Sequence, residues 1–204
     1  RHHRGLGYRL VLALSFLAAF AWSVWRPHDL FTWFLEVWWT ALGFVLLLGT
    51  ARRLPLTPLL YFLLWAHAIV LLVGGHYTYS EVPLFDWIRD HYGLSRNYYD
   101  RLGHLMQGFV PAILAREILW RRSPLAGSRW LPFLCGSIAL AFSAFFELIE
   151  WRAAVAFGAG ADAYLATQGD VWDTQWDMCC ALIGAIAALA LLSKFHTRQL
   201  RALE

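Results

Sequence analysis

The chain has 204 residues, 59% of them hydrophobic and 17% aromatic, with a mean hydropathy of +0.48. Only 15% are charged, against about 25% in an ordinary soluble domain, which is too few to cover a water-facing surface. That excludes a soluble globule, a disordered segment and a nucleic-acid binder. The net charge of +3 is no sign of a polyanionic partner, because the charge is segregated by position.

Taken in chain order, apolar runs cover residues 6–25, 30–50, 56–75, 102–120, 131–151 and 173–193. Each is about long enough to cross a hydrocarbon core of ~30 Å at 1.5 Å per residue. The expected fold is therefore all-α: a polytopic six-helix bundle forming a single membrane domain over residues 1–204. The first run is expected to be retained rather than cleaved, since it is long for a signal peptide and no small-residue cleavage site follows it. Breaks at Arg26-Pro27-His28-Asp29, Arg52-Arg53-Leu54-Pro55 and Arg121-Arg122-Ser123-Pro124 separate the runs. Between the third and fourth, Leu84, Phe85, Ile88 and Tyr92 recur at helical spacing while Asp86, Arg89 and Asp90 fall elsewhere on the wheel. That pattern predicts a short amphipathic helix in the outer interface.

Twelve of the 17 Lys and Arg residues fall on the side that holds both termini. The positive-inside bias then places the N- and C-termini in the cytoplasm, with an even number of crossings. The acids distribute oppositely: 12 of the 14 lie on the outer side. Acids contribute little to topology, so that surplus calls for another explanation. Trp and Tyr near the span ends read as interfacial belts. Cys135, Cys179 and Cys180 read as small core residues, because neighbours on one helix cannot easily pair and Cys135 lies too far off for a disulfide.

Four polar signatures converge on the outer side. The third span ends in Gly74-Gly75-His76-Tyr77, and the fourth opens with Asp100 and His104 at i and i+4. The fifth closes with Glu147 and Glu150 at i and i+3, and the sixth opens with Asp170, Asp173 and Asp177. By helical rise, His104, Glu147 and Asp177 lie ~4.5–6 Å inward of their outer neighbours, on three different helices. Carboxylates at that depth must face the bundle interior and find partners, and His and carboxylate side chains projecting from facing helices are how bundles build metal sites. His76, His104, Glu147, Glu150, Asp170 and Asp177 are thus candidate ligands for a divalent metal. Oxygen and imidazole donors suit Zn, Mn or Fe. Asp100 and Asp173 are candidates for orienting a ligand or acting as general base. Simpler roles compete at several positions: Asp170 as a helix cap, His76 as an ordinary interfacial residue, and Arg101 or Arg152 as salt-bridge partners of Asp173 or Glu150.

The segments His76-Tyr77-Thr78-Tyr79, Val82-Pro83, Ser95-Arg96-Asn97, Tyr99-Asp100, Gly103-His104 and Gln107-Gly108 resemble those of the YjdF-type bacterial inner-membrane proteins. So do Ala115-Arg116-Glu117-Ile118-Leu119, Glu147-Leu148-Ile149-Glu150-Trp151, Thr167-Gln168-Gly169-Asp170, Trp172-Asp173-Thr174-Gln175 and Asp177. The likeness runs from the second span onward. It implies a multi-pass protein of the inner membrane with a cytoplasmic C-terminus, and it carries no assigned activity.

Chemistry therefore has to suggest the function. The leading expectation is a metal-assisted hydrolase or transferase acting on a lipid-linked or envelope substrate at the outer leaflet. The alternatives are an ion or small-solute transporter and a non-enzymatic cation-sensing or structural module. Conduction would need a polar route through the inner half, yet Ala181-Leu182-Ile183-Gly184-Ala185-Ile186-Ala187-Ala188-Leu189-Ala190 offers no ion ligand, and His67, Ser137 and Ser143 are isolated polar steps.

Overall fold

The computed structural model describes the backbone of residues 2–203 and the side chains of residues 6–158 and 160–203. Arg1 and Arg4, which contribute to the charge bias, lie outside the described side chains. The helices are α1 (His2–Val24), α2 (Leu30–Thr50), α3 (Pro58–Tyr77), α4 (Pro83–Tyr92), α5 (Tyr99–Arg122), α6 (Trp130–Phe157), α7 (Asp162–Leu165) and α8 (Asp173–Arg201). Short 3₁₀ turns occupy Tyr79–Glu81 and Gly158–Ala161.

Among the described residues, five helices are long and apolar enough to cross a membrane: α1, α2, α3, α6 and α8. The fourth predicted run forms α5, whose 24 residues are long enough but too polar to join that set. It carries His104, Gln107, Arg116 and Glu117 in its middle. Helices α6 and α8 outrun the expected spans, ending at Phe157 and Arg201.

Local chemistry explains the helix starts. Asp29 caps α2 by accepting a hydrogen bond from the Thr32 amide at 2.7 Å. Thr57 caps α3 by accepting from the Leu60 amide at 3.3 Å, with Pro58 preset for the first helical position. Gly93 ends α4 in the left-handed conformation at φ +64°, which an L side chain adopts only with strain.

The chain divides into two compact units. Residues 2–100 with 153–169 form the first, and residues 101–152 with 170–203 the second. In the first, α3 packs against both α1 and α2 around Phe16, Val37 and Leu72. A Cβ on Gly75 would run into Val37 and come within 3.5 Å of the Glu36 Cβ, so glycine is what lets α2 lie so close to α3. In the second, α5, α6 and α8 meet on small residues. Ala112, Ala139 and Ala185 form one fully buried cluster, and Ala115, Leu131 and Cys135 form a second cluster of buried residues. A Cβ on Gly108 would fall 2.6 Å from the Ala181 Cα and nearer still to its carbonyl oxygen; one on Gly184 would strike the Leu105 carbonyl. Close backbone approach through small residues is the usual basis of helix association in lipid. Of the cysteines, Cys135 is buried, whereas Cys180 is half-buried and Cys179 exposed, so the last is not a core residue.

Candidate functional site

Eight-residue steps relate two layers of the second unit. Ala112, Ala139 and Ala185 pack together. Moving eight residues along each helix reaches His104 on α5, Glu147 on α6 and Asp177 on α8, about 12 Å away. Side chains that share a helix face by this spacing remain in the same interface, and here all three are more than nine-tenths buried. His104 Nδ1 lies 3.0 Å from Gln107 Oε1 and 3.8 Å from Glu147 Oε1, while Nε2 lies 3.7 Å from Asp177 Oδ1.

His104, Glu147 and half-buried Glu150 can each present one ligand atom such that all lie within 4.8 Å of one another. These are three of the residues singled out in the sequence. The i, i+3 spacing of Glu147 and Glu150 puts both carboxylates on one flank of α6, and Gln107, one turn beyond His104, orients the ring. Gln107 Oε1 can only accept, so Nδ1 carries the ring proton, and Nε2, the nitrogen nearer Asp177, is the one left available as a ligand.

The acids of α8 are organised differently. Arg101, at the start of the second unit, reaches Asp177 through Nη1 and Asp173 through Nη2 at 2.6 Å. It also reaches Asp170 at 3.3 Å. Asp173 and Asp177 are both buried, and the planar guanidinium fork spans two of the carboxylates at once. Asp170 additionally accepts from the Trp172 amide at 2.9 Å, which orders the turn leading into α8. Set against Arg101 and an exposed Arg152 that leans on the Trp151 ring, the second unit holds five carboxylates at this end, an excess of negative charge suited to a cation.

The other two predicted residues belong to the first unit. Asp100 lies 3.7 Å from Arg96 in a buried ion pair. His76 donates from Nδ1 to the Ser23 carbonyl at 3.1 Å and stacks on Trp22 at 4.2 Å, which ties α3 to α1. The Ser95-Arg96-Asn97 and Thr167-Gln168-Gly169 segments come together there as well. The Asn97 amide donates to Gln168 Oε1 at 2.9 Å, Gln168 Nε2 donates to the Asn97 carbonyl at 2.9 Å, and Arg96 donates to the Ala166 carbonyl at 3.1 Å. These bonds hold Ala166 and Gln168 at φ +48° and +50°, a region that costs non-glycine residues energy.

Sequence reasoning missed several polar residues. Gln107 could have been found from its i+3 spacing to His104. Glu36 sits two turns into the apolar α2, and its charge adds to the burial that pushes the Tyr79 phenol well above its ordinary value. At the far end of α5 and α8, Glu117 and His196 are fully buried. His196 Nε2 lies 2.9 Å from Glu117 Oε2, and Nδ1 lies 3.0 Å from Arg116. Since guanidinium can only donate, His196 accepts at Nδ1 and donates from Nε2 to Glu117. Arg116 also donates to Thr197 at 2.7 Å, and Arg121 to Glu117 at 3.2 Å.

The family described as Predicted membrane protein (DUF2238) matches residues 8–198. The chain belongs to that family. It is 56% identical over 174 residues to Inner membrane protein YjdF of Escherichia coli (strain K12), covering 85% of this chain and 83% of that protein. No solved structure matches it. The chain is thus a multi-pass helical membrane protein of a family whose description assigns no activity.

Proposed function

We propose that the chain is a bacterial inner-membrane enzyme of the metal-assisted hydrolase or transferase class, working on a lipid-linked or envelope substrate near the outer leaflet. His104, Glu147 and Glu150 hold the divalent cation (Zn, Mn or Fe), and the observation that carries the reading is their convergence within 4.8 Å on two helices. The cation would polarise the scissile carbonyl or phosphoryl group and acidify a water. Such a water would add to the reacting centre, and a carboxylate outside the ligand set, for which Asp173 is the candidate, would take its proton and pass it to the leaving group. Arg101 offsets the charge of the α8 aspartates, so that the cation is not needed to neutralise them.

The accompanying topology has six crossings and both termini in the cytoplasm. In it α5 also crosses, as the fourth span in chain order, with its buried polar positions turned toward α6 and α8. Helix α4 lies along the outer interface, where exposed Leu84 and Trp87 meet lipid and the Asp86–Arg89 pair at 2.7 Å meets water. The whole acts as one membrane domain. Transport is the weaker reading, because the Ala112–Ala139–Ala185 layer closes the second unit with apolar side chains just inward of the polar layer.

Elemental analysis of detergent-purified protein tests the proposal. About one metal ion per chain is expected, with Glu147→Gln and His104→Ala losing it while remaining folded. A metal-free parent, with both variants equally well folded, would remove the enzyme reading.

A further inference from the structure

One buried hydroxyl in the second unit stands outside the network just described. Ser143 is fully buried on α6, and its Oγ has no hydrogen-bond partner. Two other helical hydroxyls in this unit bond back to their own helix. Ser137, on the same helix, donates to the Phe133 carbonyl at 2.9 Å, and Thr197 donates to the Ser193 carbonyl at 2.8 Å. Ser143 does not bond back in this way, although a buried hydroxyl left unpaired is costly.

Its position gives the reason. Ser143 is four residues from Glu147 and four from Ala139, so it shares their face of α6 and lies between the polar layer and the alanine layer. Gly108 and Ala181 occupy the matching positions on α5 and α8 and carry almost no side chain. Helical side chains lean toward the helix N-terminus, which on α6 tips the Glu147 carboxylate toward Ser143. The hydroxyl is therefore a proton donor on the inward side of the His104–Glu147–Glu150 cluster.

We infer that Ser143 is a positioning residue of this centre, donating its hydrogen bond to the oxygen ligand on the inward side of the bound cation. This rests on the metal reading above and adds to it. Outer partners that orient a metal's ligands typically contribute 10–100-fold in metal affinity, so Ser143→Ala should weaken binding about tenfold. Without metal the same substitution removes an unpaired polar group, and the apo protein should be as stable as the parent or more so.

The experiment is titration of Zn²⁺ into metal-stripped, detergent-purified full-length protein, with thermal unfolding of each apo sample. The variants are Ser143→Ala, Ser143→Cys and Glu147→Gln. Ser143→Ala should bind Zn²⁺ about tenfold less tightly than the parent at unchanged or raised apo stability, whereas Ser143→Cys brings a thiolate that can itself take up Zn²⁺ and should bind no more weakly than the parent. Parent binding that is lost in Glu147→Gln but undiminished in Ser143→Ala would overturn the role of Ser143 and leave the metal centre standing. A fall in apo stability for both Ser143 variants would also overturn it, by showing that the hydroxyl serves packing. No Zn²⁺ binding by the parent would instead overturn the metal reading on which this inference rests.

Discussion

Replacing Arg101 by Met is the perturbation with the largest expected consequence for the second unit. The Arg101 side chain is 11% exposed and bridges Asp173 and Asp177, which are 7% and 2% exposed, while also reaching Asp170. Methionine preserves much of the stem's packing but leaves two buried carboxylates without their guanidinium. Removing one partner of a buried ion pair typically costs about 3–5 kcal/mol, because the remaining charge is stranded. For a chain of this length each kcal/mol is worth roughly 2–4 °C in Tm, so a fall of about 10 °C is expected. Intrinsic tryptophan fluorescence during heating in detergent provides the assay. Arg101→Lys should fall between parent and Met, since an ammonium keeps the charge but cannot fork. Adding Asp173→Asn and Asp177→Asn to Arg101→Met should recover part of the loss, which a double-mutant cycle reads as coupling. An Arg101→Met protein that melts within about 2 °C of the parent, with no coupling to the aspartates, would refute the view that this arginine balances the α8 acids.

Gly108→Ala and Gly184→Ala should each destabilise by about 1–3 kcal/mol or more, because the obstructing atoms are backbone. Gly136→Ala on α6, with nothing within 4 Å of its Cβ position, should be neutral or gain up to about 1 kcal/mol; the same melting assay ranks them. Asp29→Ala removes the α2 cap and should cost about 1 kcal/mol at pH 7. The Thr32 amide holds the Asp29 carboxyl below its ordinary value. Its contribution is therefore complete above the ordinary carboxylate range and is lost as pH falls through the lowered value. The gap between parent and Asp29→Ala in pH-dependent melting should accordingly shrink in acid. His196→Ala strips both Arg116 and Glu117 of a buried partner and should cost about 2 kcal/mol or more. Glu117→Gln, whose amide oxygen can still accept from His196, should cost less; equal melting of His196→Ala and parent would show that the network does not hold α5 to α8.

Sequence alone located the five helices that are long and apolar enough to cross a bilayer, because crossing imposes a length and an apolar composition that local reading detects. The 3.6-residue period also puts Glu147 and Glu150 on one flank of a helix without knowledge of the rest of the chain. Only the tertiary structure decided which acids associate. Asp170 and Asp177 looked equivalent to Glu147 as ligands, and Asp173 looked like a general base, yet the register of α5 against α8 gives all three Arg101, with Asp177 also 3.7 Å from His104, while α6 brings Glu147 and Glu150 to His104. The pairing of Asn97 with Gln168 and the burial of His196 against Glu117 have the same origin. Contacts between helices depend on rotation and axial shift at their interfaces, which small residues such as Gly108 and Ala181 set by allowing backbones to touch. No periodicity within a single helix encodes that shift.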